Sequence, residues 1–482
     1  MINYKNVFLL LLLLCTNYIF GQTKISINVT SYGANGKDQI DDTMAFQKSI
    51  DELANKNGGT LIVPKGTYYI SHLTFFGQKY SNISIIGDNA TISQLVPKQR
   101  KTIREGLFKT FAQRYAADGC FVFDAQVSNQ KDDRYSIKSI YMRGLSFKSN
   151  VEKNGFDELL HQVSAHGVSN FTIENCNFIG FYGDGVAINA GTDFNINSYA
   201  YNKDVKIKNC TFDGVNKNNR QGISIYYCDT FIIENCNFKN ITRSDMPGAI
   251  DIEPDRDFLV SRNGSIKNCN FDNIGGIAAI TIILQPSTDL NAFSNKNYIV
   301  ENCNFKNVNS SLAIIGNDSF RSFNNKENAV IFKNSKVVTS FSAVDFRKAY
   351  GVLVDQVDFT NIYNTGNNVV TEGGATNITF QNCTFDGIKN KNGLGFHGET
   401  KRINFINNIF KNFTATGVTI NDINGVGEFS NNKFLSTQSK NSLPLITQYY
   451  LSKKQILKMK FNNNISEQNF SPLDINFFYK PK

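Results

Sequence analysis

The sequence contains no tryptophan, only 8 prolines and 4 histidines, and charged residues occupy just 19% of its 482 positions. With 41% hydrophobic residues, so low a charged fraction excludes an intrinsically disordered chain. Phenylalanine (40), tyrosine (20) and glycine (35) are abundant instead, a composition that favours short strands and turns. An all-helical fold is therefore strongly disfavoured.

The formal net charge of +9 excludes little by itself. It fits an acidic polymer as the binding partner, and it fits equally well a basic surface that only aids solubility. Lysine and arginine are scattered, and neither a zinc-finger spacing nor an RNA-binding strand motif is present, so nucleic acid is not expected as a partner.

The first 21 residues have the features of a secretory signal peptide. Lys5 is the only charged residue before Gln22, an apolar run spans residues 7–14, and small or polar residues lead to Gly21. Cleavage after Gly21 leaves a chain of charge +8, one less than +9. No later run approaches the roughly 18 apolar residues of a membrane span. We expect a secreted monomer without stable membrane insertion.

A four-residue phrase, Asn-Cys-Asn/Thr-Phe, recurs through the middle of the chain and indicates a repeated supersecondary unit. The first five copies are 34, 26, 33 and 34 residues apart. The copies begin at Asn175, Asn209, Asn235, Asn268, Asn302 and Asn382. Short apolar strands flank most copies, and units of this size without helical periodicity are typical of coils of a parallel β-helix.

We therefore predict one all-β solenoid domain over residues 22–435, in which repeated Cys and Phe side chains stack inward and repeated Asn residues form turns. Adjacent coils would also bring cysteines close enough for disulfides, but buried free thiols are favoured. Residues 41–54 have the pattern of an amphipathic helix that caps the first coil. Residues 436–482 are predicted to form the C-terminal cap or tail, with residues 449–460 closing that end.

The strand Ile250-Asp-Ile-Glu253 carries the candidate catalytic residues. Alternation places Ile250 and Ile252 inward, and Asp251 and Glu253 on the outer face about 6.6–6.8 Å apart by backbone rise. That spacing is near the lower limit for an inverting glycosidase, in which one carboxyl group protonates the glycosidic oxygen and the other activates water. Two alternatives remain open: these acids are merely solvated, or they bind a cation with Asp255 and Asp257.

Residues 28–70 resemble the opening of the pectate-lyase superfamily of rhamnogalacturonase and epimerase type. The resemblance lies in Val29-Thr-Ser-Tyr-Gly-Ala34, Asp41-Asp-Thr43 and Gly58-Gly-Thr-Leu-Ile-Val-Pro64-Lys-Gly66. It implies a single-stranded right-handed parallel β-helix of the pectin-lyase type and an activity on polysaccharides. It does not fix the reaction, because hydrolases, lyases, epimerases and non-enzymatic fibres share this fold.

Gly248-Ala-Ile-Asp-Ile-Glu253-Pro-Asp255 also resembles the strand motif of iota-carrageenases. The resemblance implies that Glu253 is the acid and Asp255 the base, and it makes a sulfated galactan a suitable substrate. The sequence departs from that family at Asp251, where the family tends to have Arg, and at Pro254, which replaces a Thr.

Other residues are candidates for substrate binding. Tyr226 and Thr281 should flank the acids on neighbouring coils, Asp184 should lie about two coils away, and Arg347 about three coils on, with His397 further still. His161 and His166 match no helical metal pair, so no metal site is assigned. A basic segment, residues 98–115, is predicted to be a loop beside the groove or a solvated insertion. No cofactor is expected to be required, although a structural or substrate-bridging Ca²⁺ is compatible with the acids.

The leading hypothesis is a secreted glycoside hydrolase acting on an anionic polysaccharide, with Glu253 as proton donor and Asp251 or Asp255 as base. A polysaccharide lyase or C5-epimerase is the second hypothesis, and it requires a base near C5 and neutralisation of the uronate. A carbohydrate-binding solenoid without catalytic activity is the third.

Overall fold

The fold was analysed in a computed structural model. It describes residues 25–96, 119–127, 129–191, 199–215, 218–254, 259, 261–284, 296–316, 328–363, 375–389, 394–396, 401–414, 416–421, 427–435, 443–448 and 460–466. The predicted signal peptide, the basic segment 98–115, Asp255, Asp257, His397 and most of the C-terminal region fall outside these ranges.

The described chain winds through parallel strands that stack coil upon coil on three faces. Face 1 is formed by β1 (Ser26–Asn28), β2 (Gly59–Val63), β5 (Ile83–Gln94), β7 (Ile137–Lys148), β9 (Val168–Glu174), β12 (Asn202–Lys208), β15 (Cys228–Glu234), β18 (Ser261–Lys267), β21 (Tyr298–Glu301), β24 (Val330–Ser340), β26 (Tyr350–Ile362), β27 (Thr376–Gln381), β30 (Lys401–Ile406), β33 (Glu428–Ser430) and β36 (Lys460–Asn462). The long strands β5, β7, β24 and β26 continue from face 1 onto face 2, so these two faces form one sheet.

The other strands of face 2 are β3 (Gly66–Ile70), β10 (Asn177–Ile179), β13 (Thr211–Asp213), β16 (Asn237–Ile241), β19 (Asn270–Ile274), β22 (Asn304–Val308), β28 (Thr384–Asp386), β31 (Ile409–Lys411), β34 (Lys433–Leu435) and β37 (Ile465–Ser466). Face 3 is a separate nine-stranded sheet of β4 (Leu73–Phe76), β6 (Gly119–Asp124), β8 (His161–His166), β11 (Val186–Asn189), β14 (Ile223–Ile225), β17 (Ile250–Ile252), β20 (Ile280–Ile283), β23 (Leu312–Ile315) and β25 (Asp345–Arg347). A further sheet contains β29 (Leu394–Phe396), β32 (Thr416–Asn421) and β35 (Leu443–Gln448).

The predicted N-terminal helix is present as α1 (Thr43–Asn55). Phe46, Ile50 and Leu53 are fully buried in the core, and the helix packs against β2 and β4 at the start of the stack. Met44, the first apolar residue of the amphipathic pattern, is 67% exposed, so the buried face begins two residues later, at Phe46. A single turn, α2 (Val151–Asn154), and two 3₁₀ turns, Val29–Tyr32 and Gln78–Tyr80, are the other helical elements in the described ranges.

The repeated phrase forms the core as predicted. Six Phe rings from successive coils stack at centroid separations of 4.8–5.2 Å, with interplanar angles no larger than 7°. They are Phe147, Phe178, Phe212, Phe238, Phe271 and Phe305. The eight described cysteines are all buried and free, and burial raises the pKa of Cys176 to about 11. These thiols are packing groups, which confirms the choice of a thiol stack over disulfides.

The Asn that opens each phrase adopts the left-handed conformation that the turn requires. Asn175, Asn209 and Asn235 have φ between 50° and 54°, which asparagine tolerates better than most residues. Asn235 also donates from its side chain to Asn209 on the preceding coil at 3.2 Å. The asparagines therefore form the turns and link consecutive coils, as the sequence predicted.

A row of alternating charges runs across face 1 at one equivalent position of successive paired strands, and we call it the charge row. Its members are Glu174, Lys208, Glu234, Lys267, Glu301, Lys333 and Asp355. Lys208 lies 3.2 Å from Glu234, and Glu301 lies 3.9 Å from Lys267 and 3.1 Å from Lys333. Because in-register stacking places equivalent residues side by side, alternation of sign avoids like-charge neighbours.

Candidate active site on face 3

The acidic strand lies in the middle of face 3, between β14 and β20. Ile250 and Ile252 point into the core and are fully buried, as predicted. Glu253 follows β17 and is partly exposed. Its backbone amide donates to the carbonyl of Ile225 at 3.0 Å, which places Tyr226 beside Glu253 on the neighbouring strand.

Asp251 does not have the environment that the sequence predicted. Its side chain projects away from the core, but the residue is completely buried, so the alternative in which it is simply solvated on the outer face is wrong. The pKa of Asp251 is raised well above its ordinary value by burial, then by the charge of Glu253 and a hydrogen bond to it. Removing the last proton from this pair would place two negative charges side by side.

The contact between the two carboxyl groups also corrects the predicted separation. The backbone rise of about 6.6–6.8 Å separates the two positions on the strand, but the two carboxyl groups come close enough to interact, and this contact contributes to the raised pKa of Asp251. No catalytic water fits between two hydrogen-bonded carboxyl groups, whereas an inverting pair holds a water there. Asp251 is completely buried and its pKa is raised, so it suits the role of water-activating base less well than an exposed carboxylate does.

Asp184 precedes a strand that is two positions from the acidic strand, as predicted, but its side chain reaches the strand between them. It sits in the turn before β11, and its Oδ2 accepts a hydrogen bond at 2.8 Å from Ser224, the residue paired with Asp251 in the sheet. Its charge adds to the causes that raise the pKa of Asp251. Counting strands in the sequence could not show this contact, in which the side chain of Asp184 extends from its turn to Ser224 on the next strand.

The pKa of Asp184 is lowered although the residue is completely buried. Burial raises this pKa, and the contacts with His161, Arg220 and Ser224 more than reverse the effect. Nδ1 of His161 lies 3.3 Å from Oδ2 of Asp184 and accepts the Asp184 backbone amide at 3.0 Å. Arg220, whose Nε is 3.5 Å from Oδ1, is the permanently charged partner of Asp184.

Arg220 and Gln221, in the turn before β14, belong to the same cluster and were not selected from the sequence. Arg220 donates to Glu158 and to Gln221, both at 2.6 Å, and Gln221 donates to Asp251 at 3.1 Å. The available signal was positional: the two residues lie just before the strand that aligns with the acidic strand. Strand alternation gives no information about turn residues, so the pattern could not single them out.

The partly exposed side chains on either side of Glu253 form a row along face 3, which we call the outer row. It consists of Asn189, Tyr226, Glu253, Ile283, Ile315 and Arg347. Arg347 is three strands from Glu253, about 14 Å, as predicted. Its guanidinium pairs with Asp345 at 2.7 Å. Thr281 is paired with Asp251, also as predicted, but it is buried.

The two histidines of β8 have partners in the protein. His161 contacts Asp184, and Nε2 of His166 lies 2.9 Å from the hydroxyl of Ser164. Within the described ranges, no group of three or more His, Cys, Asp or Glu side chains is arranged to hold a metal ion. The cation site considered at Asp255 and Asp257 lies outside those ranges. None of the described helices is both long and apolar enough to span a membrane.

Residues 26–275, just over half of the chain, match the model of the family described as rhamnogalacturonase A/epimerase, pectate lyase-like. The chain therefore belongs to this family, the one that the opening residues resembled.

Particular relatives match more weakly. The iota-carrageenase of Alteromonas macleodii is 30% identical over 155 residues, which are 30% of this chain and 26% of that protein. The SPβ prophage-derived uncharacterized protein YomE of Bacillus subtilis (strain 168) is 28% identical over 165 residues, or 32% of this chain and 24% of that protein. The chain thus spans about a quarter of the length of these relatives.

Among solved structures, the A-module of mannuronan C-5 epimerase AlgE4 from Azotobacter vinelandii superimposes with a TM-score of 0.55 at 13% identity. The match covers 88% of this chain and 98% of the module. At this identity the likeness establishes the parallel β-helix fold and nothing about the reaction.

Proposed function

We propose that the protein is a secreted glycoside hydrolase that cleaves an anionic polysaccharide, and that Glu253 is the group that protonates the glycosidic oxygen. The observation that carries this proposal is the hydrogen-bonded Asp251–Glu253 pair, whose exposed member opens onto the outer row of face 3. The proposal includes the signal peptide of residues 1–21 and the right-handed winding that the family resemblance implies.

The chemistry follows from the two environments of the pair. Burial and the neighbouring charge of Glu253 raise the pKa of Asp251, so in this proposal one proton stays between the two carboxyl groups. Glu253 passes the proton to the glycosidic oxygen as the bond from that oxygen to C1 breaks. Water then attacks C1 and gives its proton to a separate carboxylate, and the iota-carrageenase resemblance assigns that role to Asp255.

The net charge of +9 and the partial identity to an iota-carrageenase make sulfated galactans the first substrates to test. Tyr226 and Arg347, which lie on the outer row beside Glu253 and three strands away, are proposed to contact the polymer. Asp184 was expected to bind substrate, but its complete burial fits a role in the charge network behind the pair. No cofactor is required in this scheme, and a Ca²⁺ that bridges protein and substrate remains compatible with it.

One observation favours a lyase or epimerase as a second candidate. Tyr226 lies beside Glu253 and close enough to Arg220 for their charges to interact. A tyrosine and an arginine together can abstract the C5 proton of a uronate and neutralise its carboxylate. Three carboxyl groups around Arg220 oppose the binding of a uronate, so the hydrolase remains the leading proposal.

The test is to incubate the purified protein with sulfated galactans, pectins and alginate while recording both new reducing ends and the absorbance of unsaturated products. Glu253→Gln is the diagnostic variant. Glu234→Gln, which removes a carboxylate from the charge row on face 1, is the matched control. Hydrolysis at Glu253 is supported if new reducing ends form without unsaturated products, and if they are lost in Glu253→Gln but kept in the Glu234→Gln control. Unsaturated products contradict the hydrolase, and polymer binding without product supports the non-catalytic hypothesis.

A further inference from the structure

We propose that Arg220 and Gln221 are positioning residues that determine which oxygen of Asp251 carries the proton shared with Glu253. The inference rests on the proposed function of the Asp251–Glu253 pair and adds two residues to it. Neither residue needs to touch the polymer, because both act through Asp251.

The hydrogen bonds form a relay with only one consistent direction. Nε of Arg220 donates to Oε1 of Gln221 at 2.6 Å, and Nε2 of Gln221 donates to Oδ2 of Asp251 at 3.1 Å. A guanidinium has no acceptor, so the amide oxygen of Gln221 must face Arg220 and its NH₂ group must face Asp251. Oδ2 of Asp251 is therefore an acceptor.

The proton of Asp251 therefore belongs on its other oxygen, Oδ1. Oδ1 is buried and receives no hydrogen bond from a donor in the described part of the chain. A proton on Oδ1 leaves Oδ2 free to accept from Gln221, whereas a proton on Oδ2 would oppose the Gln221 N–H. Asp251 is thus held as a neutral acid of fixed orientation beside Glu253.

The relay is fixed at its start by contacts on both sides of the turn. Nη1 of Arg220 pairs with Glu158 at 2.6 Å, and the Arg220 side chain is only 14% exposed. The side chain of Asn219 donates to the Arg220 carbonyl at 2.6 Å, and the amide of Gly185 donates to the Gln221 carbonyl at 3.1 Å. These contacts hold the turn in place, and rotation of the Gln221 side-chain amide would break its hydrogen bonds to Arg220 and Asp251.

The charges around Asp251 explain why a proton is needed there. Glu253 on its own strand and Asp184 from the turn before β11 both face it with negative charge, and Arg220 from the turn before β14 supplies the permanent positive charge. Glu158 and Tyr226 face Arg220, and His161 faces Asp184. Two carboxylates already oppose one guanidinium, so ionised Asp251 would add a third buried negative charge.

The test measures thermal unfolding against pH, which requires no substrate. The proteins are the wild type, Asp251→Asn, Gln221→Leu and the double variant. A carboxyl group that holds its proton more tightly when folded favours the folded state at low pH, and this contribution is lost as pH rises above about 4. The melting temperature of Asp251→Asn should therefore rise relative to wild type as the pH increases.

Gln221→Leu removes the N–H that favours the Asp251 anion. In the Gln221→Leu background, the effect of Asp251→Asn on the melting temperature should develop at a pH about one unit higher. A shift of this size corresponds roughly to the loss of one buried hydrogen bond. If the difference in melting temperature between Asp251→Asn and wild type does not change with pH, the proposal that Asp251 is protonated is overturned. If Gln221→Leu leaves unchanged the pH range over which Asp251→Asn acts, the proposed relay is overturned.

Gln162→Leu is the matched control, because Gln162 is also fully buried and donates to Ser149 at 2.8 Å without contacting Asp251 in any described hydrogen bond. It should leave the pH range of the Asp251→Asn effect unchanged. If Gln221→Leu does not fold, Arg220→Lys keeps the charge near Asp184 but lacks Nε, and it should also shift the range. The relay can fail here while Glu253 still proves essential for cleavage, so the two proposals are tested separately.

Discussion

Asp251 and Glu253 are hydrogen-bonded to each other, yet only Glu253 reaches the surface of face 3. A polymer lying along the outer row can touch Glu253 and not its partner. The exposed carboxyl group is thereby placed beside a buried one whose pKa is raised by burial and by the charge of Glu253.

The first prediction concerns the pH dependence of cleavage. Asp251→Asn removes the second carboxyl group of the pair, so loss of the last proton no longer leaves two negative charges side by side. The alkaline limb of kcat/KM should move to lower pH by about one unit or more, with an approximately tenfold loss at neutral pH that is regained under acidic conditions. Glu234→Gln should leave the profile in place.

The same profile separates the roles assigned to Asp251. Loss of activity at every pH would identify Asp251 as the base that the sequence offered as an alternative. An unaltered profile would make it a purely structural residue.

The second prediction concerns Asp184. Its pKa is lowered in the folded protein, so the ionised carboxylate contributes stability at neutral pH that is lost as pH falls below about 4. Asp184→Asn should reduce the free energy of unfolding by on the order of 3 kcal/mol at pH 7, because Arg220 then loses a buried partner. The difference from wild type should shrink as the pH falls from 5 to 3, measured by thermal melts, and a constant difference would contradict the charge assignment.

Periodicity made the architecture predictable from the sequence. The spacing of Asn209 and Asn235 gave the length of a coil, Phe238 gave the inward position, and the pattern around Phe46 gave the helix at the start of the stack. Each of these inferences depends on a spacing of residue types that recurs along the chain, and the recurrence makes the spacing recognisable.

The site was predictable only in part. Alternation found Asp251 and Glu253 and placed Tyr226 beside Glu253, but it does not report whether an outward side chain is covered. The partners Arg220 and Gln221 come from a turn, and their contacts depend on side-chain directions that no repeat specifies. Burial of Asp251, and therefore its protonation, required the three-dimensional arrangement.

The third prediction tests the aromatic stack. Phe238 is about 1% exposed and lies 4.9 Å from both Phe212 and Phe271. Phe238→Ala should lower the free energy of unfolding by about 3–5 kcal/mol, through lost burial and a cavity that neighbouring coils cannot fill. Phe341→Ala, at a ring that is 40% exposed, should change it by no more than about 1 kcal/mol in the same denaturation experiment. Equal losses would mean that the stack contributes no more than surface contacts.

The fourth prediction concerns the charge row, where Glu301 lies between Lys267 and Lys333. Glu301→Lys places three lysines on successive strands and should lower the melting temperature more than the neutral variant Glu301→Gln does. The free energy of unfolding should be about 1 kcal/mol lower for Glu301→Lys than for Glu301→Gln. The difference is this small because the lysines are more than a third exposed and water screens the repulsion. Since salt screens charges further, the difference between the two variants should shrink from 0.01 M to about 1 M NaCl. A difference that persists in high salt would indicate that packing of the longer side chain, and not charge, destabilises the variant.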